Sequence, residues 1–411
     1  MAINKKSKKL KVAVALSGGV DSAVAAALLK EQGYEVVGIF MKFWRAPFDN
    51  GQSGGWNRCC TFEAQQRARA VARALDIDFY VLNLERDFKK RVVDYFFNEL
   101  KAGRTPNPCV ICNKEIKFGL LFEKAKALDC DYLATGHYAR KCEIKNQISP
   151  KESELPTGQA KIKNANQKSK IYKLLRAKCE EKDQSYFLWQ LNQKQLARTL
   201  FPIGEIASKA EVRKLAKKYK LPVAETKDSQ EVCFIKDKAE YFIKKFLGSK
   251  RGKIINQNGE VLGEHQGLWF YTIGQRKGLP LSQGPWFVVA KDFKKNTLVV
   301  SQSEKDLFKK ELIAENVNWF SGVEPKLPIK VRAQIRCRHT PALATIYKLP
   351  TTHPEGVACR QPYGAGYKLI LAKPQRAITP GQSVVFYSPR RSSSGAKAGE
   401  GDELLGGGII K

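Results

Sequence analysis

The run Val12 to Ser22, VAVALSGGVDS, constrains this chain more than any other stretch. Its five apolar residues, Val12 to Leu16, predict a buried strand, and Ala23 to Lys30 supplies strong helix formers directly after a turn. Ser17, Gly18 and Gly19 can bring bare backbone N–H groups against an anion, and the helix behind them points its positive end into the same space. A lone Ser-Gly-Gly is as well explained by a plain link from strand to helix. Here Ser17 and Ser22 add hydroxyls suited to phosphate, and Asp21 adds a carboxylate suited to a metal ion, all in one turn. The run is not a Walker A loop, GxxxxGK[ST], because it has no Lys, and it lacks the third Gly of a dinucleotide loop.

Ser-Gly-Gly-x-Asp-Ser resembles the PP-loop of the N-type ATP pyrophosphatases, which adenylate a carbonyl oxygen with ATP and release pyrophosphate. That resemblance implies an α/β, adenine nucleotide alpha hydrolase-like fold and leaves the substrate unnamed. The chain agrees with such a fold. Strands are expected at Glu35 to Met41, Phe79 to Leu84 and Tyr132 to Thr135, with helices at Cys59 to Leu75, Asp87 to Leu100 and Lys114 to Leu128. Residues 44 to 58 read as a Gly- and Asn-rich loop. Strands alternating with helices give a doubly wound parallel sheet whose ligands sit at the carboxyl ends of its strands, where Gly136 and His137 fall.

Residues 141–170 break the pattern as a basic, polar insertion with little apolar periodicity. Helices are expected again at about 192–199 and 208–219, followed by an extended segment, Pro222 to Ile235. Beyond Gly252 the texture is β, with strands at Trp286 to Ala290, Thr297 to Ser301, Lys330 to Arg336 and Ser383 to Tyr387. The expected layout is a catalytic domain at 1–240, a small central linking domain at 241–290, and a C-terminal β-barrel at 291–411. A Ser/Gly-rich loop at 388–401 precedes Leu404 to Ile410, which is apolar enough to be a closing strand.

Charge narrows the partners. Lys and Arg number 72 against 40 Asp and Glu, leaving +32 in 411 residues. Such a balance calls for a polyanion or a basic proteome background. Nucleic acid leads, because no amphipathic basic helix suited to a membrane surface is found. Lys5, Lys6, Lys8 and Lys9 ahead of an apolar run mimic a signal peptide, but Gly18, Gly19 and Asp21 interrupt the run. No stretch nears the ~20 apolar residues of a membrane span. A cytoplasmic protein is expected, and its ten cysteines are then reduced thiols.

Among these thiols, Cys109 and Cys112 lie in TPNPCVICNKEIKF. Asn113 is a candidate N-cap, which would put Cys112 at the positive end of the following helix and lower its pKa, with Lys114 and Lys117 adding to the effect. Cys233 stands alone in KDSQEVCFI. Zinc would want a second Cys pair at a usual spacing, which the chain lacks. Two readings stay open: a cluster such as [4Fe-4S] on Cys109, Cys112 and Cys233, or a pair of thiols in which one carries sulfur and the other resolves it by disulfide formation.

Taken in order, SGGVDS, FMKFW, TPNPCVICNKEIKF, ATGHYAR, KDQSYFL, KDSQEVCFI, YTIGQRKGL and TPGQSVVFY resemble the motif set of the tRNA-specific 2-thiouridylases, from residue 12 to the closing GDELLGGGII. The resemblance implies ATP- and Mg²⁺-dependent adenylation at C2 of uridine 34, in the anticodon stem-loop of tRNA, followed by sulfur transfer from a protein persulfide. Its supplier would be a cysteine desulfurase or a sulfur-relay protein. By motif match, Ala15, Leu16, Ser17, Gly18, Gly19, Val20, Asp21, Ser22, Met41 and Gly136 would bind ATP. Asn107, Pro108 and Cys109 would border the target base. His137, Lys182, Asp183, Gln184, Arg336, Cys337 and Gln382 would touch tRNA. Cys112 matches the nucleophile and Cys233 the persulfide bearer. Many members carry Asp at the position of Cys109, so a carboxylate there is replaced by a third thiol.

Overall fold

The computed structural model describes residues 9–46, 61–144, 170–226, 232–235, 239–350, 366–389 and 403–411. Cys59, Cys60, most of the 44–58 loop, residues 145–169 of the insertion and residues 390–402 lie outside that set.

The N-terminal part is built on five parallel strands, β1 (Lys11–Ala15), β2 (Glu35–Lys42), β3 (Asp78–Asn83), β4 (Tyr132–Ala134) and β7 (Thr199–Leu200), in the order β3-β2-β1-β4-β7. Strand β1 lies in the middle. Alternation sends Ala13 and Ala15 into one apolar cluster and Val12 and Val14 into another, so both faces are buried. This is why β1 reads as an unbroken apolar run. Strand order reverses between β1 and β4, and a crevice at such a switch point is where doubly wound sheets bind ligands.

Helices α1 (Val20–Glu31) and α2 (Phe62–Ala74) follow. Two longer helices, α3 over residues 85–101 and α4 over residues 108–127, each change from α to π-type hydrogen bonding inside, at Lys89–Val93 and Cys112–Leu120. Helix α4 corrects an expectation. Pro108, with its fixed φ, occupies the first helical position. The helix therefore begins before Cys109, Asn113 is not its cap, and Cys112 sits inside it, not at its positive end. The side-chain amide of Asn113 instead donates to the Phe187 carbonyl at 3.0 Å.

Strands β5 (Ala139–Ile144) and β6 (Ile171–Arg176) form an antiparallel hairpin that brackets the insertion. Helices α5 (Gln193–Ala197) and α6 (Lys209–Lys218) match their expected places. The segment expected to be extended, Pro222 to Ile235, is turned wherever it is described, because consecutive backbone bonds such as Ala224 N–H to Leu221 O close it up. Helix α7 (Ala239–Leu247) follows.

The central sheet pairs β8 (Gly252–Ile255), β9 (Val261–His265), β10 (Phe287–Asp292) and β11 (Thr297–Ser301) in the order β10-β11-β8-β9. It therefore runs to Ser301, past the expected boundary at 290. Strands β12 (Phe308–Trp319), β13 (Ile329–Gln334), β14 (Ala342–Lys348), β15 (Tyr367–Arg376), β16 (Ser383–Tyr387) and β17 (Leu404–Ile410) close a barrel in the order β12-β15-β14-β13-β16-β17. Strand β16 is buried throughout. Val384 and Phe386 fill the barrel, while Val385 and Tyr387 pack into the same cluster as α3 and α4. One core thus runs across the seam between the catalytic part and the barrel.

Candidate active site

The residues expected to hold nucleotide converge at the carboxyl ends of β1, β2 and β4. Ala15 ends β1, Met41 lies near the end of β2, and Gly136 follows β4. Between β1 and α1 the chain turns through Gly18 at φ +76. The Ser22 hydroxyl ties this turn together: it accepts from the Ser17 backbone N–H at 3.2 Å and donates to the Gly19 carbonyl at 3.1 Å. The Ser17 and Ser22 hydroxyls stand 3.2 Å apart. Close approach is required on two sides. A Cβ at Gly18 would meet the Ala64 carbonyl oxygen at 2.3 Å, and one at Gly136 would meet the Ser22 nitrogen at 2.7 Å. Arg67 Nε donates to the Gly18 carbonyl at 3.0 Å, which turns that oxygen away from the cradle towards α2.

Asp21, the expected metal ligand, is engaged by protein groups here. Lys209 Nζ donates to both its carboxylate oxygens at 2.8 Å, and the Tyr138 hydroxyl donates to Oδ1 at 2.6 Å. Neither Lys209 nor Tyr138 is among the residues read from the sequence. Tyr138 sits within the quoted motif ATGHYAR, but nothing local marks Lys209, which is 188 residues from its partner.

From Tyr138 a chain of contacts leads to the second set of expected residues. Tyr138 N–H donates to Gln184 Oε1 at 3.0 Å, and Gln184 N–H returns to the Tyr138 carbonyl at 2.8 Å. Asp183 is occupied inside the protein, accepting from Arg176 Nε at 2.9 Å, from Ser185 Oγ at 2.9 Å and from the Ala177 N–H at 3.0 Å. Lys182 ends the short turn before it. The Ser185 hydroxyl lies 3.0 Å from that of Tyr387 in β16. His137 Nδ1 stands 2.8 Å from Thr135 Oγ1 and its Nε2 3.5 Å from Lys117 Nζ. Burial, with the Lys117 ammonium beside it, holds His137 well below its usual pKa, so the ring is neutral.

A third group gathers at the seam with the barrel. Gln382 Nε2 donates to the Thr105 and Pro106 carbonyls at 3.0 and 3.1 Å, just ahead of Asn107 and Pro108. Cys337 lies within electrostatic reach of Cys109, and burial pushes its thiol up to about 11. Arg336 donates to the Ile273 and Ala377 carbonyls and to Thr379 Oγ1 at 3.0, 3.0 and 2.7 Å, tying the central part to the barrel.

Cys112 is 6% exposed, and Cys109 and Cys233 are half-buried. Cys233 precedes Phe234, whose ring packs on Phe88 and Phe96 of α3, and α4, which carries Cys112, packs on the same helix. Among the described residues no three His, Cys, Asp or Glu side chains are grouped so as to hold a metal. Nor is any helix among the described residues long and apolar enough to cross a membrane.

Three family descriptions match in succession: tRNA methyl transferase HUP domain over residues 10–237, tRNA methyl transferase PRC-barrel domain over 240–302, and aminomethyltransferase beta-barrel domain over 309–410. A tRNA-specific 2-thiouridylase of Clostridioides difficile is 41% identical over 406 residues, covering 98% of this chain and 98% of that protein. One of Moorella thermoacetica is 42% identical over 402 residues, covering 97% and 98%. Among solved structures, a U34-tRNA thiolase of Methanococcus maripaludis is 18% identical, covers 55% of this chain and 61% of that one, and has a TM-score of 0.30.

Proposed function

The chain belongs to the tRNA-specific 2-thiouridylase family, and from that premise we propose that it converts uridine 34 of tRNA to 2-thiouridine, using ATP and a protein-borne persulfide, in the cytoplasm. The observation that carries this reading is the full-length identity to curated 2-thiouridylases, joined to a loop whose bare backbone and paired serines suit phosphate. Methyl transfer, the activity in two of the family descriptions, accounts for neither that cradle nor the thiols.

The chemistry follows from what each part can do. The N–H groups at Ser17 to Gly19 and the positive end of α1 receive the phosphates of ATP. Mg²⁺ usually takes one or two carboxylates together with substrate phosphates, and Asp21 fits as that single carboxylate; the ion would draw charge off the phosphates. Uridine O2 attacks the α-phosphorus, the bond to the bridging oxygen breaks, and pyrophosphate leaves with the electron pair. A poor leaving group has become AMP. A donor persulfide passes its outer sulfur to the Cys233 thiolate. The resulting Cys233 persulfide adds to C2, and AMP leaves with O2. Cys112 thiolate then attacks Cys233 Sγ, the sulfur–sulfur bond breaks, and sulfur remains on C2 as the thiocarbonyl. The Cys112–Cys233 disulfide so formed is reopened by a dithiol reductant.

Base access sets no barrier, since a wobble base lies in a single-stranded loop and splays out at modest cost. Asn107, Pro108, Cys109, Cys337 and Gln382, brought together at the seam, form the surface we assign to the target base and its stem. We assign His137, neutral and held between Thr135 and Lys117, to tRNA contact as well.

The test is reconstitution with tRNA, Mg-ATP and a protein persulfide, reading 2-thiouridine by nucleoside mass spectrometry. Cys112→Ser and Cys233→Ser are each expected to abolish the product while leaving ATP binding intact. Wild-type product from either variant would refute the two-thiol scheme.

A further inference from the structure

We propose that Lys209 supplies the phosphate-side cation that the loop itself lacks: its ammonium, paired with Asp21 in this structure, turns to the pyrophosphate end of bound ATP. The proposal rests on the PP-loop reading above and adds to it a residue from a distant helix.

The starting point is an electrostatic conflict inside the cradle. Asp21 is the second residue of α1. A carboxylate there is favoured by the helix dipole, yet it faces the space into which a polyanion must come. Lys209 cancels that charge. It does so from a fixed base: it is the first residue of α6, whose first turn is tied by Ser208 Oγ accepting from the Glu211 N–H at 3.2 Å, and α6 packs on α1. The Lys209 side chain is only 15% exposed against 32% for Asp21, and its ammonium stands 5.9 Å from the Tyr138 ring centre. The side chain is therefore mostly sunk against the loop.

Lysine suits an exchange of partners better than arginine. It is a point charge on a flexible stem, with donors that do not demand a planar fork. Were Asp21 to hold a metal ion, the Lys209 ammonium would need another acceptor, since an unpaired charge in a partly buried site is costly. An oxygen of the β- or γ-phosphate, arriving in the same step, is its natural acceptor. When the α-phosphorus is attacked, the bridging oxygen takes the electron pair, and a fixed cation on that side stabilises the charge that develops. Tyr138 stays on Asp21 and keeps the carboxylate aimed at the loop. A Walker A lysine does comparable work from within its own loop; here the same charge would come from the far side of the crevice.

The test is calorimetric titration of the full chain in Mg²⁺ with ATP, inorganic pyrophosphate and AMP separately. For Lys209→Met, binding of ATP and pyrophosphate is expected to weaken about 10- to 100-fold, the range of one charge-assisted hydrogen bond, with AMP binding within about twofold of wild type. Lys209→Arg should keep most of the preference for ATP over AMP. An equal loss for ATP and AMP would show that Lys209 only props the loop, and unchanged ATP binding would show no role; either overturns the proposal. Should Lys209→Met fail to fold, Lys209→Gln, which keeps a donor for Asp21, replaces it with the same expected losses. Wild-type protein that binds none of the three would instead fell the PP-loop reading itself.

Discussion

Gly18 and Gly19 look interchangeable in the sequence, and the structure separates them. Gly18 sits at φ +76, a region that costs a residue with a side chain about 1–2 kcal/mol. Its Cβ would also lie 2.3 Å from the Ala64 carbonyl oxygen and 3.0 Å from the carbonyl carbon. Those atoms belong to the first turn of α2, where the Ala64 N–H is held by Thr61 Oγ1 at 3.1 Å, so the backbone has little room to give. Relieving the overlap adds about 1–3 kcal/mol. The sum, about 2–5 kcal/mol, is what Gly18→Ala must overcome to present the native loop. If only that loop binds ATP, affinity falls about 30- to 5,000-fold. Gly19 has φ −101, and its Cβ would meet only Ser17 Oγ, at 3.5 Å. Gly19→Ala should therefore fold as well as wild type or better by up to about 1 kcal/mol, and any loss it shows in ATP binding reports the close approach of phosphate to bare backbone. Titration calorimetry with Mg-ATP, alongside urea unfolding of each variant, reads both quantities. Gly18→Ala with wild-type ATP affinity, or Gly19→Ala as the less stable variant, would refute the reasoning.

Two further outcomes follow from buried groups. The Asp183 side chain is 4% exposed and pairs with Arg176, which is 13% exposed, so Asp183→Ala leaves a buried guanidinium and unmet N–H groups; it should cost about 3–5 kcal/mol in unfolding, and a loss confined to tRNA binding at unchanged stability would contradict the structural role. His137 is held neutral, below its usual value near 6.5, so the unfolded chain takes up a proton that the folded one refuses. Stability contributed by this group is thus complete above pH 6.5 and is lost as pH falls below it, at up to about 1.4 kcal/mol per pH unit. His137→Gln should flatten the decline in melting temperature between pH 7 and 5, and an identical slope would show that another group drives it.

Much of the fold was legible because the strands carry their own boundaries. Thr297–Ser301 and Ser383–Tyr387 stand where apolar runs end at Ser, and Leu404–Ile410 stands out as apolar after the charged Asp402 and Glu403. No expected element covers α7, although Phe242, Ile243 and Phe246 carry a helical spacing. The sequence leaves the start of α4 ambiguous because two residues compete to open it. Asn113 has the better capping side chain, but Pro108 has the fixed φ, and Asn113 is used elsewhere by Phe187. Caps are local signals, and a tertiary partner can claim one without leaving a trace in the spacing.

The site shows why the remainder was out of reach. Its residues lie on both sides of a seam whose two halves are joined by β16, a strand that reads apolar from Val384 to Phe386 because one face fills the barrel and the other meets α3 and α4. Tyr186 OH donates to the Ser383 carbonyl at 2.9 Å and Trp189 Nε1 to Ser383 Oγ at 3.0 Å, across nearly 200 positions of sequence. Cys337 comes within electrostatic reach of Cys109 across the same seam, and Lys209 reaches Asp21 by the same kind of long-range packing. Motifs name the groups that do chemistry, since those must be of one residue type. A group that only has to bring charge or a hydrogen bond to a point in space can come from any element that passes nearby, and its neighbours in sequence carry no mark of it.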